Sequence, residues 1–209
     1  MEIIHQSPVA SFIFAITIAV SLLAFNDESL YAKMILHPYS VSRKEKYYTL
    51  ITSGLIHKDW MHLIFNMISY YCFAFTLERY IGHWQFGLLY IASLILSDLP
   101  SVVKHKNNYS YYSLGASGAV SAVLFSFIMY DPMQGMYIIP FPFAIKAIIF
   151  GALYLVYCTY ASKYSHDLIN HDAHLFGALS GVAITIILNP AVTSEFVHQI
   201  TLGVQSMLH

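Results

Sequence analysis

The chain has 209 residues, of which 57% are hydrophobic and only 10% charged, with a formal net charge of -1 at pH 7 and a mean hydropathy of +0.59. Ordinary soluble domains carry about 25% charged residues, so the composition belongs to the membrane class, and the balanced charge excludes nucleic acid as an expected partner. A bilayer core about 30 Å thick takes roughly 20 apolar residues per helix, which leaves room for about six spans in a single membrane domain over residues 1–209.

Stretches free of Asp, Glu, Lys and Arg mark the spans in chain order. The first runs from Val9 to Phe25; the segment before it lacks Lys and Arg, so a retained helix is expected rather than a cleaved signal. A long loop from Asn26 to Asp59 follows, aromatic and charged at Arg43, Lys44, Glu45 and Lys46. Loops of this length tend to be functional. Spans two and three are Trp60 to Leu77 and Ile81 to Ser97, separated by Glu78-Arg79. A polar segment, Lys104 to Leu114, leads into span four, Gly115 to Tyr130. Asp131-Pro132 and Pro140-Phe141-Pro142 punctuate the turn before span five, Phe143 to Ser162 with the one exception of Lys146 near its start, and span six runs from Ala173 to Leu188 before Asn189-Pro190. The expected fold is all-α: a polytopic membrane protein built as a six-helix bundle. Val192 to His209 is modestly amphipathic, a segment for the membrane surface or a loose end. Cys72 and Cys158 lie in apolar stretches without ligand spacing and read as small buried hydrophobes. No lipidation motif is found.

Polar side chains are costly in hydrocarbon, so those inside the spans are the first candidates for chemistry. His62 and Asn66 are four apart and share one helix face, where both can aim donors at one point as an oxyanion hole requires; interhelical bonding is the bland alternative. Ser117 sits in Gly115-Ala116-Ser117-Gly118 where a loop meets a helix N-terminus, a place that favours developing negative charge. His174 begins span six beside Ala173, Gly177 and Gly181, a small-residue stripe at four-residue spacing that lets another helix approach closely. If span four packs there through Gly118 and Ala122, Ser117 and His174 meet near one membrane surface and the imidazole can take the serine proton.

Taken together, His62-x3-Asn66, Gly115-x-Ser117-Gly118 and Ala173-His174-x2-Gly177, each on a separate span, resemble the rhomboid family of intramembrane serine proteases over Tyr47 to Leu188. Thr52-Ser53-Gly54-Leu55-Ile56-His57 and Glu78-Arg79 also look like rhomboid segments. The resemblance implies a catalytic dyad of Ser117 and His174 without a third acid. It also implies an oxyanion site of His62, Asn66 and the Ser117 backbone N–H, with His57 a supporting loop residue. It implies transmembrane protein substrates within the lipid bilayer, and a bacterial inner membrane as the location. Two departures stand out. Many rhomboids carry Trp-Arg in the first loop where this chain has Tyr48-Thr49, so loop anchoring is expected to differ. Some bacterial members have a tyrosine four residues after the nucleophile that stacks on the catalytic imidazole; here that residue is Ser121, so His174 is expected to be held differently.

The family orientation puts both termini in the cytoplasm and places Lys33, Arg43, Lys44, Lys46, Lys58, Lys104, Lys106 and Lys163 outside, with only Arg79 and Lys146 inside, against the positive-inside tendency. Long translocated loops obey that rule poorly, and the first five belong to the long first loop. Among rivals, a metalloprotease would need a pattern such as HExxH. His57 with His62, and His166, His171 and His174, come nearest to a cluster, yet the first pair has no carboxylate or cysteine at ligand spacing, so neither metal nor cofactor is expected. Asp98 has no aspartate partner on another span, and no repeated halves suggest a transporter. The stronger rival is a catalytically dead rhomboid-like protein that binds membrane clients. Such a protein typically lacks the serine or histidine, and both are present here.

Overall fold

The long helices of the computed structural model, which describes residues 5–137, 143–165 and 169–208, form along the apolar runs of the sequence. They are α1 (Pro8–Asn26), α5 (Trp60–Ile81), α6 (His83–His105), α7 (Ser117–Tyr130), α8 (Ala147–Tyr164), α9 (His171–Leu188) and α10 (Val192–Leu208). Three short helices, α2 (Glu28–Met34), α3 (Pro38–Val41) and α4 (Thr49–Thr52), organise the long first loop. By length and composition α1, α6 and α9 can each cross a membrane, while α7 is a shorter apolar helix.

Several boundaries differ from the sequence expectation. Residues Ala144–Lys146 form a strand, β2, paired antiparallel with β1 (Gly135–Tyr137), so helix α8 starts at Ala147 rather than Phe143. The backbone groups of this segment are committed to the ribbon, and the Ala147 N–H donates to the Gln134 carbonyl at 2.9 Å. The all-α expectation is amended by that one small ribbon. Pro140-Phe141-Pro142 lies outside the described residues. Helix α6 continues past Ser97 to His105 and contains Pro100, because its backbone ladder is indifferent to the charges of Asp98 and Lys104 that close the apolar run. Helix α9 starts at His171, ahead of Ala173, because Asn170 caps it: its side chain accepts from the Ala173 N–H at 3.1 Å.

Helix α7 is the centre of the bundle. It is apolar all round, and every residue from Gly118 to Met129 is buried, as expected for a helix enclosed on all sides. Helix α9 lies against it at backbone distance: a Cβ built on Gly177 would meet the Gly118 carbonyl and lie 2.9 Å from its Cα, and one on Gly181 would lie 2.6 Å from the Ala122 Cα. Serine and threonine hydroxyls add polar links where the helices are this close. The Thr185 and Ser126 hydroxyls are hydrogen-bonded at 2.6 Å and those of Ser180 and Ser93 at 3.2 Å.

Helix α1 is fixed by a partner far along the chain. Pro8 has no N–H to lose, and the next two orphan donors, Val9 and Ala10, donate to the two carboxylate oxygens of fully buried Glu78 at 3.1 and 2.6 Å. The ring Nδ1 of His83 lies 2.6 Å from the same carboxylate. Glu78→Ala would strand these donors in a buried site, at a cost of about 2–5 kcal/mol. A clear fall in melting temperature of the detergent-solubilised protein is expected, with Glu78→Gln intermediate because it keeps one acceptor. An unchanged melting curve for Glu78→Ala would show that the carboxylate does not hold α1.

The first loop is clamped to the segment that precedes α7. Leu36 and Ser113 exchange backbone hydrogen bonds at 3.0 Å, and the His37 ring stacks on Tyr112 with centroids 4.5 Å apart. The Arg43 guanidinium lies 3.5 Å over the Tyr39 ring and donates to the Lys106 carbonyl at 2.9 Å. Anchoring thus runs through Arg43 and the Tyr39–His37–Tyr112 cluster. Helix α10 docks on the end of α7, with Gln199 donating to the Tyr130 carbonyl at 2.9 Å.

Candidate active site

Ser117 is the first residue of α7, so its backbone N–H has no partner within the helix. Fourteen residues span about 21 Å at about 1.5 Å each, well short of a bilayer core about 30 Å thick. The turn into α7 depends on Gly115, whose φ of +111° suits glycine and whose N–H donates to the Ser53 carbonyl at 2.9 Å. The His62 imidazole lies against Gly115: a Cβ there would be 2.6 Å from Cε1 and 2.8 Å from Nε2. The absence of a side chain at residue 115 is what lets the ring come within two residues of the serine.

His62 is aimed by the start of its own helix. Asp59 caps α5 by accepting from the His62 N–H at 2.8 Å. Asn66, one turn on, is buried and donates through Nδ2 to the His62 carbonyl at 3.0 Å, which leaves the second amide hydrogen for another acceptor. Behind His62 stands His57, ring centroids 4.9 Å apart and edge to face. The Ser21 hydroxyl donates to the Leu55 carbonyl at 2.9 Å, so its lone pair receives the His57 Nδ1 hydrogen, also at 2.9 Å. The His57 Nε2 has no hydrogen-bond partner among the described residues.

Burial, reinforced by the His62 ring and only partly opposed by Asp59, lowers the His57 pKa to about 3. In the unfolded chain a histidine takes a proton below about 6.5. The unfolded state therefore binds the extra proton, and the stabilisation present above pH 6.5 declines by about 1.4 kcal/mol per unit as pH falls toward 3. Melting curves at pH 7.5 and 5.5 should show a smaller acid loss for His57→Gln than for the wild type. Equal losses would show that His57 titrates in the fold as it does in water.

On the opposite flank, the Gly118 position faces the Ala173 carbonyl, 3.3 Å from a Cβ built there. Their chain neighbours Ser117 and His174 flank this contact between α7 and α9, and both are half-buried rather than sealed. Gly177 and Gly181 continue that contact along Gly118 and Ala122. Asn170 ties the region together beyond its capping role, donating through Nδ2 to Ser101 at 2.8 Å and to Ser113 at 3.0 Å. An ion pair from Lys104 to Asp172, 2.6 Å, links the end of α6 to the start of α9.

Tyr154 of α8 also reaches this junction, unforeseen from the sequence. Its ring is nearly parallel to that of His174, at 9° and 6.4 Å between centroids, and its hydroxyl lies 2.7 Å from Ser121 Oγ. A hydroxyl inside an apolar span was the available signal; which face of span five it occupied was not. Asn170 was legible as a polar residue just before an apolar periodic run. Among the described residues no group of three or more His, Cys, Asp or Glu side chains is arranged to hold a metal ion, and His166 lies outside them.

A serine at a helix N-terminus, a histidine in the first turn of the neighbouring helix, and a ring with an amide at the start of α5 are residue types that acyl transfer uses. A profile of the Rhomboid domain matches residues 44–191. The chain is 30% identical over 146 residues to the rhomboid protease candidate YdcA of Bacillus subtilis (strain 168), covering 68% of this chain and 67% of that one. It is 29% identical over 155 residues to the chloroplastic Rhomboid-like protein 11 of Arabidopsis thaliana, covering 68% of this chain and 53% of the relative. With the mitochondrial RHOMBOID-like protein 12 of the same plant it shares 27% over 146 residues, 63% of this chain and 43% of the relative. The chain thus spans about two thirds of its bacterial relative and about half of the plant ones. The matched domain takes in every element from α4 to α9, and the chain belongs to the rhomboid family.

Proposed function

We propose that this protein is an intramembrane serine endopeptidase that cleaves transmembrane segments of other membrane proteins, organised as one six-span membrane domain in a bacterial-type inner membrane. The observation that carries the reading is the backbone contact of Gly118 with Ala173 and Gly177, which joins the α7 N-terminus to the first turns of α9. In this mechanism His174 removes the Ser117 proton as Oγ attacks a peptide carbonyl of an unwound substrate segment. His62, Asn66 and the Ser117 N–H receive the negative charge that develops on the carbonyl oxygen. Collapse of the tetrahedral intermediate breaks the C–N bond, and the amine leaves with the proton that His174 held. Water then attacks the acyl-enzyme, with His174 again as base, and releases the acid and free Ser117.

The reading is tested by cleavage of a fluorogenic transmembrane peptide by the detergent-purified protein, with and without EDTA. Cleavage that is indifferent to EDTA and absent in Ser117→Ala is expected. Cleavage retained in Ser117→Ala, or abolished by EDTA, would overturn it.

A further inference from the structure

The approach of α8 to the junction is made by one side chain, Tyr154, whose hydroxyl meets Ser121 and whose ring lies nearly parallel to that of His174. The Ser121 hydroxyl donates to the Ser117 carbonyl at 2.9 Å, so the short contact of 2.7 Å with Tyr154 is a donation from the phenol to Ser121. A relay therefore runs from the Tyr154 O–H through Ser121 to the backbone of the nucleophile itself. The face of the same ring lies along His174, offset and nearly parallel. Two more rings steady it: Phe125 of α7 at 5.6 Å and Phe150, one turn back on α8, at 6.0 Å. An aromatic plane fixed at three points restricts the rotation of the imidazole beside it.

We infer that Tyr154 is a positioning residue for the dyad, holding the His174 ring toward Ser117 through its face and referencing that position to α7 through its hydroxyl on Ser121. The inference rests on the serine-protease reading above and assigns the orientation of the base to α8, a helix that contributes no reacting atom. It divides the residue into two separable parts. The ring sets the orientation of His174; the hydroxyl sets where the ring stands relative to Ser117.

The test is steady-state cleavage of the fluorogenic transmembrane peptide by the full chain in detergent, for the wild type, Ser117→Ala, Tyr154→Leu, Tyr154→Phe, Ser121→Ala and the double variant Ser121→Ala/Tyr154→Phe. Since a displacement of about 1 Å can cost about 100-fold in rate, Tyr154→Leu is expected to lower kcat by about 10- to 100-fold with KM within about twofold. Tyr154→Phe, which keeps the ring, should recover most of that loss. Because Ser121→Ala and Tyr154→Phe break the same link, the double variant should fall no further than either single one. A kcat for Tyr154→Leu equal to that of the wild type would overturn the inference, as would losses in the two single variants that multiply in the double one. A rise in KM at constant kcat would also overturn it, by moving the residue to substrate binding. Should Tyr154→Leu fail to fold, the near-isosteric phenylalanine and alanine variants still decide the matter through their coupling. Failure of the underlying reading appears separately, as a wild type whose cleavage survives Ser117→Ala.

Discussion

Replacement of Ser117 by alanine is expected to reduce cleavage on the order of 10⁶-fold in kcat, and replacement of His174 by alanine to do nearly the same. In the proposed mechanism the two side chains act as one unit, so the double variant should be no worse than either single one. Asn66→Ala should behave differently. It removes one donor to the developing oxyanion and leaves nucleophile and base in place, a loss of about 10²- to 10³-fold. His62→Ala belongs with Asn66→Ala, with an added cost because its ring also fills the space beside Gly115. Rate constants for the four single variants and the double one check the assignment. Comparable, near-normal rates in Ser117→Ala and Asn66→Ala would contradict it.

The second large effect concerns packing. At Gly177 the nearest atoms to a new Cβ are backbone atoms of Gly118, which cannot rotate away as a side chain can. Overpacking in a tight core costs about 1–3 kcal/mol even where side chains yield, so Gly177→Leu should exceed that range. It forces α9 away from α7 and takes His174 from Ser117 in the same movement. Loss of a monodisperse folded species on size exclusion and of all cleavage is expected, with Gly177→Ala intermediate in melting temperature. Gly203→Ala is the contrast: a Cβ there meets only the flexible end of Met133, and near wild-type stability is expected. A Gly177→Leu protein that melts and cleaves normally would show that the α7–α9 contact is not needed.

The features that could be read from the sequence are local ones. The helical repeat puts His62 and Asn66 on one face, Ser117 stands at a Gly-rich entry to an apolar run, and the Ala173–Gly177–Gly181 stripe shows in its spacing; the roles expected of them came from the combined resemblance to rhomboids. The positions of the long helices followed from the charge-free stretches, because burial of apolar surface dictates both. What escaped depended on partners distant in the chain. Glu78 meets the α1 N-terminus 68 and 69 residues away, and Tyr154 reaches Ser121 across 33 residues; neither separation leaves a periodic trace. The residue at 121 drew notice as a serine where an aromatic ring is found in some rhomboids. That a ring from α8 lies parallel to that of His174 instead requires knowing how α8 turns its faces. The early end assigned to α6 has a different cause: Asp98 and Lys104 end an apolar stretch without ending the hydrogen-bond ladder that defines a helix.

The most direct measurement is mass-spectrometric mapping of a fluorophosphonate adduct on the purified protein in detergent. The probe reports the activated nucleophile without requiring a matched substrate. A single adduct on the Ser117 peptide of the wild type, lost in Ser117→Ala and strongly slowed in His174→Ala, is the expected result. No adduct in the wild type, or one on another serine that persists in Ser117→Ala, would contradict the serine–histidine dyad.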